Sequence, residues 1–428
     1  MDKYFKVLIW VLLIYSIIIA FLGISYDTFY TIKYGGIDLR NRVVGTRILL
    51  AGNDPYYTKW KFDTPEYLVD GRDYHSGLPV NRCTVPPSFL LLHAPFAGIS
   101  YKTQQYLWMA LQELMLIFCI FIFAKAAEER YKFVLIVGFM LFLGGSFWRF
   151  HVANGQIYIL FVFMITLAYH IAKSSLKNKE FWVGFILGVS SSWRPPMILM
   201  SLPIIIYRKW KMIIGGIIGI SLSLLGSVLF SGVSTWSSYF SAMKIHGLFH
   251  AGVLQPELSI HPNSNNIEGI RNSFFSADVP GLDSSIQGLL YKLFGFALDP
   301  KFLWLGLVVI VLLLSFSLWK GRNKSATIEM IFFQGSVLIL ISEFFLPAAR
   351  LSYNNVIWLV PLSMLIIQVQ DMRKLLNFPL IFLLFGVAVN YLYSIFPRSI
   401  LIADYSILIY LIWMWFAVNK IELYSSSS

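Results

Sequence analysis

Charge is scarce in this 428-residue chain: Asp, Glu, Lys and Arg together make up 13% of it, against 57% hydrophobic and 17% aromatic residues. A soluble domain carries about a quarter charged residues, so that class is excluded. Cysteine is nearly absent. Cys83 falls in a polar stretch and Cys119 inside an apolar run, which predicts no disulfide and leaves no zinc-ligand pattern. Strand-type alternation is missing, which disfavours an outer-membrane barrel, and no repeat period or low-complexity linker divides the chain. Basic residues are the exception, since 34 Lys and Arg outnumber 22 Asp and Glu for a formal charge of +12. They form no patch interleaved with aromatics on a soluble domain, so no nucleic-acid partner is expected.

What fills the chain is apolar runs near the ~20 residues that a helix needs to cross a bilayer, separated by short basic turns. The expectation is an all-α polytopic membrane protein, a single integral-membrane domain over residues 1–428 in contact with membrane lipids. Twelve spans are predicted: Val7–Ile24, Gln104–Phe123, Phe133–Phe147, Ile157–Ile171, Phe181–Ser192, Met197–Tyr207, Met212–Phe230, Phe302–Trp319, Ile328–Leu346, Asn354–Ile367, Phe378–Ile395 and Ile400–Val418. Half of the 34 basic residues lie in tails and turns on one face, from Lys3 and Lys6 through Lys177, Arg208 and Arg322 to Lys420. The positive-inside rule makes that face, and with it both termini, cytoplasmic. The opposite ends carry the lone arginines Arg149, Arg194, Arg350 and Arg398, with two long outer loops at about Ser25–Thr103 and Ser231–Lys301. Met1–Ile24 lacks a small-residue cleavage site and is read as an anchor.

The first outer loop has internal pattern. In DLRNRVVGTRILLA, Val44, Ile48 and Ala51 share one helical stripe and Arg40 and Arg47 another edge, which predicts a helix lying in the membrane interface and ended by Gly52 and Asp54-Pro55. Tyr56, Tyr57 and Trp60 would then sit at headgroup level. The spans on either side of Trp193-Arg194-Pro195-Pro196 give only about 18 Å and 16 Å of helix against a ~30 Å hydrocarbon core. That turn is therefore expected below the outer surface, where irregular backbone must be covered by protein or line a wet cavity.

Asp38 follows Gly35-Gly36 at the start of the loop helix. It reads either as an N-cap or as a general base taking a proton from an attacking hydroxyl. Arg194 reads as a phosphate ligand, as a snorkelling arginine or as half of an ion pair. Arg350 has Glu343 two turns earlier as a neutralising partner, and Glu113 reads as a buried structural partner. Asn154-Gly155-Gln156 reads as a turn and helix start. His246, His250 and His261 have spacings of four and eleven and make no metal site without further ligands, so no metal is expected.

In chain order, Asp38-Leu39, Gly52-Asn53-Asp54-Pro55-Tyr56, Val85-Pro86-Pro87 with Pro95, Asn154-Gly155-Gln156, Arg194-Pro195-Pro196, and Leu346-Pro347 through Tyr353-Asn354 to Leu359-Val360-Pro361 form a series. This series resembles the polyprenyl-phosphate-mannose-dependent mannosyltransferases of glycosyltransferase family 87, within the glycosyltransferase-C superfamily. The resemblance implies a glycosyltransferase-C-like helical bundle with amphipathic helices in the first outer loop. It implies Asp38 as catalytic base, Arg194 and Arg350 at the donor phosphate, and Asp54, Tyr56, Asn154, Gln156, Tyr353 and Asn354 as substrate contacts. The implied reaction is inverting transfer of a sugar, most plainly mannose, from a polyprenyl-phosphate carrier to a glycolipid or glycan at the outer face of a bacterial-type inner membrane. It needs one carboxylate and neither cofactor nor metal. Another carrier-linked sugar such as arabinofuranose is the nearest alternative. Transport of a lipid or solute is a reading of a different class, which inverted repeats would favour.

The charge pattern has a direct test. Accessibility tags at Lys177 and Arg322 should report the cytoplasm and tags at Asp70 and Asn265 the outside; Asp70 and Lys177 on one side would overturn the topology.

Overall fold

The computed structural model describes residues 3–34, 36–57, 67–68, 83–250, 283–296, 298–321, 326–368 and 399–425. The expected span Phe378–Ile395, together with Trp60, His261 and Arg398, lies outside them. Among the described residues there are helices and no strands.

Five helices are long and apolar enough to cross a membrane: α1 (Lys3–Tyr34), α4 (Tyr101–Ala126), α10 (Trp210–His250), α12 (Pro300–Gly321) and α13 (Ile328–Phe345). A sixth is reached if the bent pair α5 (Glu129–Leu143) and α6 (Ser146–Asn154) counts as one span. The short helices α2 (Ile37–Leu50) and α3 (Pro87–His93) lie in the loop before α4. The rest of the bundle is α7 (Tyr158–Lys173), α8 (Lys179–Trp193), α9 (Ser201–Ile206), α11 (Ile286–Phe294), α14 (Leu359–Gln368) and α15 (Ser399–Ser425).

Twelve full spans are therefore not what the described helices present, and the reasons are local. The run expected as Phe133–Phe147 is broken by Gly144-Gly145 into two helices 56° apart. Gly23 of α1 fits at that break, where an added Cβ would stand 2.5 Å from the Gly144 Cα. Pro195-Pro196 opens a 3-10 turn, Pro195–Met200, which leaves α9 only six residues. The span expected at Asn354–Ile367 begins instead as a 3-10 turn, Ser352–Trp358, and α14 has ten residues. Helix α1 runs to Tyr34, so the first outer loop starts about ten residues later than Ser25.

Burial orders these helices around α13. Sixteen consecutive residues, Glu329 to Phe344, are buried, as expected of a helix that is apolar all round and sits inside a bundle. The outer helices show the opposite face: Trp10 and Phe21 on α1, Leu114 and Phe121 on α4 and Leu312 and Leu313 on α12 are exposed. In a membrane protein such surfaces meet acyl chains. Two glutamates fix α13 at its ends. At its start, Glu329 pairs with Lys173 at 2.5 Å and accepts a hydrogen bond from the Tyr169 hydroxyl at 3.0 Å. At its end, Glu343 pairs with Arg194.

Helix α8 lies directly on α10. A Cβ on Gly184 or Gly188 would collide with the carbonyls of Met212 or Gly216, and one on Gly215 or Gly219 with those of Phe181 or Phe185. Small residues on both helices let the two backbones touch, the usual device for helix pairing in lipid. Helix α10 is broken at Gly232 (φ 80°, ψ 161°), a conformation that only glycine adopts readily. Beyond the break, Tyr239 packs on Tyr56 with ring centroids 5.4 Å apart.

Gly188→Ala should destabilise the chain by about 1–3 kcal/mol, as overpacking does. At Gly216 the added methyl would be 3.6 Å from the Gly184 carbonyl, so Gly216→Ala should be neutral or stabilising. Thermal midpoints of the detergent-purified variants test the contrast, and equal losses would refute the close approach.

Candidate functional site

The site is built on α2. Its cap is Gly36 in the left-handed region (φ 96°), with Asp38 inside the first turn and no side-chain capping bond. The N-cap reading of Asp38 is thus corrected, and the physical reason is steric. The Tyr101 hydroxyl donates to the Gly36 carbonyl at 2.7 Å, and the Gly36 N–H donates to the Ala153 carbonyl at 2.5 Å. A Cβ at position 36 would strike the Tyr101 hydroxyl. The cap is fixed by neighbours, and the Asp38 carboxylate is left for other work.

The helix does not expose an amphipathic face as expected of one resting on the bilayer surface. Leu39 to Thr46 and Ile48 are buried; Arg40, read with Arg47 as a polar edge, and Arg42 beside it are each only 3% exposed and enclosed by protein. Arg47 ties down the loop before α4, donating to the carbonyls of Ala97 and Ile99 at 2.9 Å each. Tyr56, expected among the headgroups, is turned into the protein. It is fully buried and its hydroxyl donates to the Val85 carbonyl at 2.9 Å.

Asn154-Gly155-Gln156 does more than turn the chain. Gly155 ends α6 in the left-handed region (φ 66°), and a Cβ there would stand 2.7 Å from the Leu39 Cβ. That contact sets Gln156 beside α2, where its Nε2 donates to Asp38 Oδ2 at 2.5 Å. The Gly155 carbonyl accepts from Arg42 Nη2 and, at 3.1 Å, from the Trp108 indole. The Arg42 guanidinium lies 5.5 Å and 5.9 Å from the rings of Trp108 and Phe89.

Burial pushes the Asp38 carboxyl up to about 6, opposed by the positive charges of Arg42 and Arg40. Burial lowers Arg42 to about 10, opposed by Asp38, so Arg42 stays charged at neutral pH. His93 is pushed down to about 3 by burial and by Arg42 and is neutral there.

A second cluster converges on the same place. Arg194 Nε donates to Glu343 Oε1 at 3.0 Å and Nη2 to Oε2, with the guanidinium 4.4 Å from the Tyr158 ring centre. Asn354 Nδ2 donates to the Tyr158 hydroxyl at 2.8 Å, and the Tyr158 and Tyr353 rings are 5.9 Å apart. Asp38 and Arg194 both act electrostatically on Tyr158 and on Tyr353. Tyr158, two residues after the Gln156 that holds Asp38, thus links the carboxylate to the arginine cluster.

Other sequence candidates fall elsewhere. Asp54 Oδ1 accepts from the N–H groups of Tyr56 and Tyr57 at 2.8 Å and 3.3 Å, which makes it the hinge of its turn. Asn154 ends α6 half-buried. Arg350 is 1% exposed and takes Asp404, not Glu343, as its carboxylate. It also donates to Ser284 Oγ at 2.9 Å and Asn355 Oδ1 at 2.8 Å. That enclosure removes it from a phosphate-binding role. Glu113 accepts from the Trp148 indole at 3.1 Å, and Arg149 pairs with Asp27 at 3.1 Å. Cys83 and Cys119 are both free and buried. Among the described residues no three of His, Cys, Asp and Glu converge as metal ligands would.

Sequence reasoning missed Arg42, Tyr158 and Glu343 as members of the site. Arg42 had a signal, since it stands one helical turn after Asp38. Tyr158 and Glu343 had none, because their role depends on which helices meet.

The family model for Glycosyltransferase family 87 matches residues 84–342, more than half of the chain. No curated protein and no solved structure matches it.

Losing one partner of a buried ion pair strands the other. Glu343→Leu should therefore cost about 3–5 kcal/mol, and Arg194→Leu in the same chain should recover much of it. Strictly additive losses in thermal stability would show that the two side chains are not coupled.

Proposed function

This chain belongs to glycosyltransferase family 87 and is a membrane glycosyltransferase, and we propose that it moves mannose, with inversion, from a polyprenyl-phosphate carrier to a glycolipid or glycan acceptor. In this reading the site faces the outside of a bacterial-type inner membrane and both termini face the cytoplasm. What supports it is the Asp38 carboxylate, with one oxygen held by Gln156, two residues before the Tyr158 ring that stacks against the Arg194 guanidinium, in a chain of this family.

The chemistry is one displacement. The acceptor oxygen attacks the anomeric carbon as its proton passes to the Asp38 carboxylate. The bond from that carbon to the phosphate oxygen breaks on the opposite face, its electron pair leaves with the phosphate, and the configuration inverts. A carboxylate with a proton affinity near 6 is ionised at neutral pH yet basic enough to take the proton in the transition state. Arg194, whose side chain keeps 15% exposure beside Glu343, is the arginine we place at the leaving phosphate. Arg350 belongs to the scaffold. Tyr353 and Asn354 shape the wall next to the reacting sugar, and Asp54, Tyr56 and Asn154 hold the loop around it. The residues named for this scheme require no metal or cofactor. A polyprenyl-phosphate arabinofuranose donor tests the alternative sugar in the same assay.

Asp38→Asn keeps the shape of the side chain but cannot accept a proton, so turnover of polyprenyl-phosphate-mannose with a panel of glycolipid acceptors should fall by roughly 10²–10⁴ while donor binding stays near normal. Wild-type turnover should rise with pH through about 6, because the carboxyl loses its proton there and becomes the base. An Asp38→Asn protein that transfers at the parent rate would remove Asp38 from the mechanism.

A further inference from the structure

We propose that Gln156 and Arg42 are positioning residues of the Asp38 carboxylate: the amide pins one oxygen and the guanidinium supplies a fixed counter-charge, which leaves the second oxygen to take the proton. The inference rests on the reading of Asp38 as the base and adds to it how the base is held.

Three observations carry it. Gln156 Nε2 donates to Asp38 Oδ2 at 2.5 Å, and Asp38 Oδ1 makes no hydrogen bond among the described residues. Gln156 is itself buried, at 7% exposure, and its backbone is fixed, since its carbonyl accepts from the Trp108 indole at 3.2 Å and its N–H donates to the His151 carbonyl at 2.9 Å. A substrate-binding amide would face open space, whereas this one is committed to a neighbouring carboxylate. Arg42 is 3% exposed and is held by the Gly155 carbonyl and by two aromatic rings, with no hydrogen-bonded carboxylate among its described partners. Asp38 stands one helical turn before it on α2 and is the carboxylate whose charge acts on it.

Among the other described groups facing this pair, Arg40 alone, on α2 itself, carries a second positive charge. From the packed elements come His93 on α3, Tyr101 on α4, His151 on α6, Tyr158 on α7, Tyr353 and the thiol of Cys83. None of these is a cation near neutral pH. A half-buried anion in such a place is kept ionised by a donor and a positive charge together.

The test reads the carboxyl directly. Infrared pH-difference spectra of the full-length chain in nanodiscs show a protonated-carboxyl band that Asp38→Asn removes, and this band reports the Asp38 midpoint, expected near 6. In Gln156→Leu that midpoint should rise by about one unit, and in Gln156→Glu further, because a second carboxylate competes for the same proton. Arg42→Lys should stay near the wild-type midpoint and Arg42→Met should move above it. An unmoved midpoint in Gln156→Leu, or a raised KM for polyprenyl-phosphate-mannose with the midpoint in place, would make Gln156 a substrate contact and overturn the proposal. Should Arg42→Met fail to fold, Gln156→Leu decides alone. Failure of the base reading is distinct, since Asp38→Asn would then transfer sugar at the parent rate whatever the infrared midpoints show.

Discussion

A buried charge in a lipid-embedded bundle has to find its partner inside the protein, because acyl chains offer none. Helix α13 shows the constraint at both ends, with Glu329 meeting Lys173 and Tyr169 on one side and Glu343 meeting Arg194 on the other. The second pair does more than neutralise. It draws the break after α8 against the end of α13 and so sets Tyr158 and Asn354 beside Arg194. The Arg350–Asp404 pair does the same one level out, joining the 3-10 turn of Ser352–Trp358 to α15 and to the Asp283-Ser284 segment. Remove either pair and the elements around the site lose their common reference.

The loop helix obeys the same rule by another route. Helix α2 carries too much charge to face lipid and is almost wholly enclosed, so each arginine needs a carbonyl, a ring or a carboxylate. Arg47 takes the loop carbonyls, Arg42 takes Gly155 and two rings, and Asp38 balances the remainder. What looked like a membrane-surface helix is thus enclosed by protein, with Asp38 half-buried in its first turn.

Composition alone was enough to identify a helical membrane protein, because 57% hydrophobic residues have few other places to go. Asp38, Gln156, Arg194 and Tyr353 were each legible as candidates, and the structure gathers them around Tyr158. Their partners were not legible. Glu343 pairs with Arg194 across 149 positions, and a pattern read along the chain assigned it to Arg350, only seven residues away. The interfacial stripe on α2 misled because helical periodicity shows which residues share a face and not what that face meets. The expected spans differ from the described helices where Gly144-Gly145 and Pro195-Pro196 interrupt apolar runs whose hydropathy is continuous; hydropathy records transfer cost and is blind to backbone breaks.

The break at Gly232 gives α10 a mechanical character that its 41 residues conceal. A continuous helix transmits torque along its hydrogen-bond ladder, and a residue at φ 80° and ψ 161° interrupts that ladder. The half before the break is clamped backbone to backbone against α8. The half after it rests through Tyr239 on Tyr56 and through Gly247 on Pro347. One continuous stretch of chain thus serves two neighbours, its first half answering to α8 and its second to the loop that holds Tyr56.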